Sequence, residues 1–185
     1  MHYGTVKYCD IANGEGVRTT LFVSGCSHRC RGCFQPETWD FSYGEEFTEA
    51  VAEEVLESLR PAYVDGLTVL GGEPMEPDNQ RALVGLLEEA ARRYPDKTLW
   101  LFTGDRYEDL TDPSSPRRTE VTDRILTAVD VLVDGPFIEE QKDITLRFRG
   151  SANQRIIDLA RSRAAGEAVL WEDDGVFADR GRWTD

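Results

Sequence analysis

At 185 residues, with 40% hydrophobic and 30% charged positions, the chain has the size and balance of one soluble globular domain with a real core. Its net charge of −14 repels nucleic-acid phosphates and excludes DNA or RNA as a partner class; the acidity reads as a solubility device. No apolar run approaches the ~20 residues of a membrane span and no charged-then-apolar leader opens the chain. The expectation is a cytoplasmic protein, in which closely spaced cysteines mean metal rather than disulfides.

Residues 1–16 are polar and contain glycine. Asn13-Gly14-Glu15-Gly16 is a turn cluster that precedes a strand rather than joining strand to helix, so it is not read as a phosphate loop. Cys9 is read as a small core or edge residue, outside any cluster. Residues 17–24, VRTTLFVS, are rich in β-branched and aromatic side chains and predict a strand. That strand runs directly into Gly25-Cys26-Ser27-His28-Arg29-Cys30-Arg31-Gly32-Cys33-Phe34.

Downstream, residues 48–59 predict a helix capped by Thr48, with Val51, Val55 and Leu59 recurring on one face and Pro61 stopping it. A short apolar strand at 67–70 leads into Gly71-Gly72-Glu73-Pro74. A helix over 78–94 follows, then a strand over 98–102 ending in Thr103-Gly104-Asp105. After a Pro/Ser loop at 112–116 come a helix over 118–128, a strand over 129–133 and Asp134-Gly135-Pro136. Residues 144–148 predict a further strand. Residues 1–158 are taken as one domain and 159–185 as a C-terminal extension of no assigned function, where Val169-Leu170-Trp171 and Val176-Phe177 flank Asp174-Gly175 as a hairpin turn would require.

Strand, loop and helix repeat. Such βα units imply a mainly parallel sheet, and there are too few for a closed eight-stranded barrel of ~250 residues. An incomplete (β/α) barrel fits the length. In a parallel sheet the loops that follow the strands share one face. The cysteine loop, the Gly71-Gly72 segment, the Thr103 turn and the Asp134 turn should therefore line one cleft.

The cysteine loop carries the chemistry. Its spacing, C-x3-C-x2-C, forces Cys26, Cys30 and Cys33 to converge, and thiolates are the soft ligands of iron–sulfur clusters and zinc. A closed site wants four protein ligands. A cluster on three cysteines leaves one iron open. The plainer readings are a zinc knot completed by His28, or thiols packed as small hydrophobes; the interleaved Ser, His, Arg and Gly read as loop, and His28 as a neighbour of the site rather than a ligand. Gly71 and Gly72 permit close backbone approach to a ligand, and Pro74 stiffens the exit. Glu73 is an acceptor-only group suited to an ammonium or to a backbone donor. Taken alone, the segment is equally a tight strand-to-helix turn.

The triplet followed by an aromatic, Phe34, resembles the cluster loop of the radical S-adenosylmethionine (SAM) enzymes. The longer string DIANGEGVRTTLFVSGCSHRCRGC, followed by Thr38-Trp39, resembles one branch of them, the activating proteins of the anaerobic (class III) ribonucleoside-triphosphate reductases. Residues 149–157, RGSANQRII, are similar to the closing motif of that branch, so the resemblance spans roughly residues 2–157. It implies a 4Fe–4S cluster on Cys26, Cys30 and Cys33, with SAM on the open iron through its amino and carboxylate groups. Gly71, Gly72 and Glu73 would hold the methionine amine, Gly32 and Phe34 would lie at the cofactor with Phe34 against the adenine, and Thr103 and Asp134 would contact SAM or an associated cation. Two positions depart from the branch: Asp105 stands where Tyr is usual, and Leu70 where Ser is usual. The implied reaction takes an electron from a flavodoxin or ferredoxin and leaves a glycyl radical on the reductase, with no general acid or base. Other small radical SAM enzymes, the pyruvate formate-lyase activases and the 7-carboxy-7-deazaguanine synthases, are the nearest alternatives. A non-enzymatic iron–sulfur carrier would need a fourth ligand, for which only Cys9 remains, and a zinc interaction module is the third.

Overall fold

The β-branched run after the Asn13–Gly16 turn forms strand β2, Arg18–Val23, and all six of its residues are buried, as a central strand covered on both faces requires. The computed structural model describes residues 1–172. Around β2 it arranges β1 (His2–Asp10), β3 (Glu45–Glu46), β4 (Gly66–Gly71), β5 (Thr98–Phe102), β6 (Val131–Asp134) and β7 (Arg155–Asp158) in one sheet of order β3-β1-β2-β4-β5-β6-β7. Strands β2, β4, β5 and β6 run parallel. Strands β1, β3 and β7 add antiparallel edges.

Side-chain alternation divides the sheet into two faces. Leu21, Val23, Leu67, Val69, Leu99, Leu101 and Leu132 meet buried residues from every helix: α1 (Glu49–Ser58), α2 (Pro77–Arg93), α3 (Tyr107–Thr111), α4 (Thr122–Ala128) and α5 (Leu159–Ala165). Each such Leu or Val contributes about 1.5–3 kcal/mol on burial, so this face is the core. Thr48 caps α1, its Oγ1 accepting from Val51 N at 3.3 Å. Pro77 starts α2, where a missing N–H costs nothing. The opposite face carries Trp100, Val131 and Val133, with Phe102, Phe148, Ile156 and Trp171 packed beside them. Arg18 is fully buried, its guanidinium 5.5 Å from the centre of the Trp100 ring.

The sequence expectation needs correction in three places. Residues 2–10 form a full strand, β1, every position of which is exposed or half-exposed; it meets β3 only at His2 and Tyr3, and a strand so open needs no apolar alternation. Residues 144–148 are not a strand: Ile144 is 90% exposed, Phe148 takes φ +55°, and β7 has already paired with the edge of β6. The helix expected from 118 begins at Thr122. The C-terminal stretch is continuous with the core as far as it is described. Leu159 is buried, and Trp171 N donates to Ile156 O at 2.9 Å. The second arm of the expected hairpin, Val176-Phe177, lies outside the described residues. No helix among those residues is long and apolar enough to cross a membrane.

Candidate functional site

The loops after β2, β4, β5 and β6 meet in a cleft of about 480 Å³. Cys26, Cys30, Cys33, Gly32, Phe34, Gly71, Gly72, Glu73 and Thr103 all line it, so the parallel order assembles what the sequence scatters. Leu70, Phe102 and Phe148 supply an apolar floor, and Phe34 stands at the rim, 81% exposed.

Backbone hydrogen bonds stitch the cysteine loop to the glycine segment. Gly72 N donates to Val23 O at 2.7 Å and Glu73 N to Gly25 O at 2.8 Å, while Gly25 N and Cys26 N donate to Thr38 O and Trp39 O at 2.8 and 3.2 Å. The Asn79 amide binds both Ser24 O and Glu73 O. Only glycine fits at 72, because a Cβ there would stand 2.7 Å from Gly25 O and 2.9 Å from Thr38 O.

Glu73 is 1% exposed. Of the two partners open to it, ammonium or backbone donor, it has backbone donors: Met75 N at 2.8 Å and Gly104 N at 2.7 Å. Its Oε2 also lies 3.1 Å from His28 Nε2, which is 3.3 Å from Asp105 Oδ1. Hydrogen bonds to Asp105 and Glu73 push the His28 imidazole up to about 10. Beside it, Arg117 pairs with Glu76 at 2.9 Å and Asp105 at 3.1 Å. Asp105 Oδ2 is a buried atom left without a partner.

Thr103 Oγ1 accepts from Asp105 N at 3.0 Å. Asp134 does not line the cleft. It is fully buried and accepts from Arg155 Nε at 3.0 Å and from Tyr107 N at 2.8 Å, which ties the end of β6 to β7 and α3. Sequence reasoning singled out neither Glu76 nor Arg117, since no spacing rule links a helix start to a Pro/Ser loop.

Cys26, Cys30 and Cys33 line one cleft, and thiolates are the soft donors that an iron–sulfur cluster takes. Among the described residues, His28, Glu73 and Asp105 form a separate set whose donor atoms all lie within 4.8 Å of one another. Burial pushes the Cys26 thiol up to about 11, a cost that a bound metal ion removes by stabilising the thiolate. Cys9 lies exposed on β1.

A family model described as a 4Fe-4S single cluster domain matches residues 12–157. An anaerobic ribonucleoside-triphosphate reductase-activating protein of Vibrio cholerae is 40% identical over 158 residues, 84% of this chain and 97% of that protein. The protein of that name from Haemophilus influenzae is 39% identical over the same shares. Its counterpart in Escherichia coli K12 is 36% identical over 86% of this chain and 99% of its own length. The chain belongs to the family of anaerobic ribonucleoside-triphosphate reductase-activating proteins. Membership in this activating-protein family makes it an activase with an iron–sulfur cluster. The 4Fe-4S match begins after Cys9 and takes in the other three of the chain's four cysteines.

Proposed function

We propose that the chain activates an anaerobic ribonucleoside-triphosphate reductase by radical SAM chemistry, on an incomplete (β/α) barrel with a 4Fe–4S cluster on Cys26, Cys30 and Cys33. One observation carries this reading. Cys26, Cys30 and Cys33 line the same cleft as Gly71 and Gly72, and the bonds from Gly72 N to Val23 O and from Glu73 N to Gly25 O tie the start of the cysteine loop to that glycine segment. A cluster on three thiols would leave one iron for a small ligand, and the backbone of the glycine segment in the same cleft would offer acceptors to an amino acid's ammonium.

When bound, a cluster on Cys26, Cys30 and Cys33 together with SAM would supply one-electron reductive chemistry that removes a hydrogen atom from a glycine Cα of the reductase, the electron coming from a flavodoxin or ferredoxin. The chain's own residues bind, orient and exclude water. Gly71 and Gly72 would hold the methionine amine, and Glu73 fixes that segment by accepting from Met75 N and Gly104 N. Leu70, Phe102 and Phe148 keep the floor dry. Phe34 and Gly32 would lie against the adenosine, and Thr103 lines the same cleft. Asp134 stands outside the contact set because Arg155 and Tyr107 N occupy its carboxylate. The reaction and its reduced thiols suit a cytoplasmic protein.

The test is anaerobic reconstitution, assay of iron and sulfide, then SAM and dithionite with measurement of 5′-deoxyadenosine and of the radical signal on the reductase. The expected result is about four irons per chain, SAM cleavage and a radical on the partner. Protein that loads its iron fully and yet cleaves no SAM with the reductase present would overturn the mechanism.

A further inference from the structure

We propose that Arg117 is a positioning residue for the cysteine loop: its guanidinium pins the first turn of that loop to the ends of β4 and β5. It arrives from a loop ninety residues away in sequence. Arg117 Nη2 donates to Ser27 Oγ at 2.9 Å, Nη1 pairs with Glu76 Oε2 at 2.9 Å and Nε with Asp105 Oδ1 at 3.1 Å. Glu76 Oε1 in turn accepts from both Ser27 N and Ser27 Oγ, at 2.7 and 2.5 Å. One planar fork thus joins three elements, which a point charge on a flexible stem cannot do.

The arginine is itself held. Gln80 Nε2 donates to Arg117 O and to Met75 O, both at 2.7 Å, so α2 fixes the backbone from which the guanidinium reaches. Around it lie the carboxylates of Glu76 and Asp105 and the His28 ring, whose Nε2 is 3.4 Å from Arg117 Nη2. Without Arg117 these carboxylates would lose their guanidinium partner, and Ser27 would lose one of its anchors. At the other end of the loop Arg31, 83% exposed, pairs with Glu139 at 2.8 Å, the kind of contact worth little in water. The latch therefore acts on Cys26, the buried member of the triplet, and leaves Cys30 and Cys33 to close around the metal.

The inference rests on the cysteine loop as the cluster site, and not on what SAM does there. Its test uses the full chain in two states. In metal-free protein, hydrogen exchange of the amides of residues 25–33 is compared between wild type, Arg117→Leu, Arg117→Lys and the surface control Arg124→Leu. In loaded protein, the rate of iron release to a chelator and the cluster's midpoint potential are measured. Loss of a charged hydrogen-bonding group predicts that Arg117→Leu speeds both exchange and iron release about tenfold, while exchange in β4 and β5 stays at the wild-type rate. The potential moves to more negative values, because a positive charge near the cluster has gone. Arg117→Lys restores the potential, since the charge is kept, but only part of the protection, since the fork is lost. If Arg117→Leu does not fold, Ser27→Ala tests the same latch without removing a charge: about threefold faster exchange confined to the loop is expected.

Unchanged exchange at 25–33 in folded Arg117→Leu, or a rise spread evenly over the sheet, overturns the latch. Iron-free wild-type protein with a loop-confined rise in Arg117→Leu would sink the cluster assignment and leave the latch standing.

Discussion

Arg155 closes on Asp134 with two nitrogens, Nε on Oδ1 at 3.0 Å and Nη2 on Oδ2 at 2.5 Å. The carboxylate is fully buried, at the end of the last parallel strand. Removing one partner of a buried ion pair leaves a charge with no compensation, which costs about 3–5 kcal/mol. Arg155→Leu should lower the urea unfolding free energy by that amount, and Asp134→Asn added to it should restore part. A loss below about 1 kcal/mol, the worth of a surface pair, would show that solvent reaches the site.

The cysteines divide by position. Cys26, Cys30 and Cys33 line the cleft. Cys9 is exposed at φ +55°, at a shift in register between β1 and β2. Replacing Cys30 by Ala should abolish iron uptake and the brown chromophore on anaerobic reconstitution. Cys9→Ser should load as the wild type does. Visible absorption and iron assay decide it, and a Cys9→Ser protein that failed to load would bring the fourth thiol into the site.

Gly72 is a steric prediction. An added Cβ would meet two backbone oxygens, Gly25 O and Thr38 O, both under 3.0 Å, and neither can swing aside as a side chain would. Gly72→Ala should destabilise the fold by about 1–3 kcal/mol and push the cysteine loop off the glycine edge, so that iron is lost faster. Gly85→Ala on α2 is the control. Its Cβ would meet nothing within 4 Å, and removing a mid-helix glycine should stabilise by up to about 1 kcal/mol.

Local patterns carried much of this architecture. Strand β5 lies at 98–102, as the TLWLF run between turn residues requires, and the cysteine loop and Gly71-Gly72 segment follow their strands as the βα repeat demands. What stayed hidden depends on partners distant in sequence. Strand β1 meets β3 only at His2 and Tyr3 and none of its residues is fully buried, so no apolar period marks it. Asp134 reads as a strand-end carboxylate, but only the antiparallel return of β7 reveals that Arg155 claims it. Glu76, Asp105 and Arg117 meet around Ser27 and His28, and no rule of spacing joins loops thirty to ninety residues apart. Their chemistry is in the sequence; their juxtaposition is in the sheet order.

Arg18 links the buried base of the sheet to the cleft's wall. It is fully buried and donates to Thr68 Oγ1, Thr98 Oγ1 and the carbonyls of Glu15, Leu67 and Thr98. Thr68 Oγ1 passes the connection on to Asn13 O at 2.7 Å, and Ala12 and Asn13 line the cleft. The Asn13–Gly16 turn rests on this side chain, since a Cβ on Gly14 would stand 2.9 Å from Arg18 Cδ and 3.1 Å from the Trp100 ring. Arg18→Met keeps the length and the packing on Trp100 but strands several buried acceptors, at about 1–3 kcal/mol for each one left unsatisfied. The expected outcome is a loss of about 3–5 kcal/mol in urea unfolding and a red shift of tryptophan fluorescence as water reaches Trp100. Arg18→Lys should fall between, because one ammonium cannot serve acceptors on three sides. Wild-type stability in Arg18→Met would mean that the turn is held by Thr68 alone and that the guanidinium is dispensable.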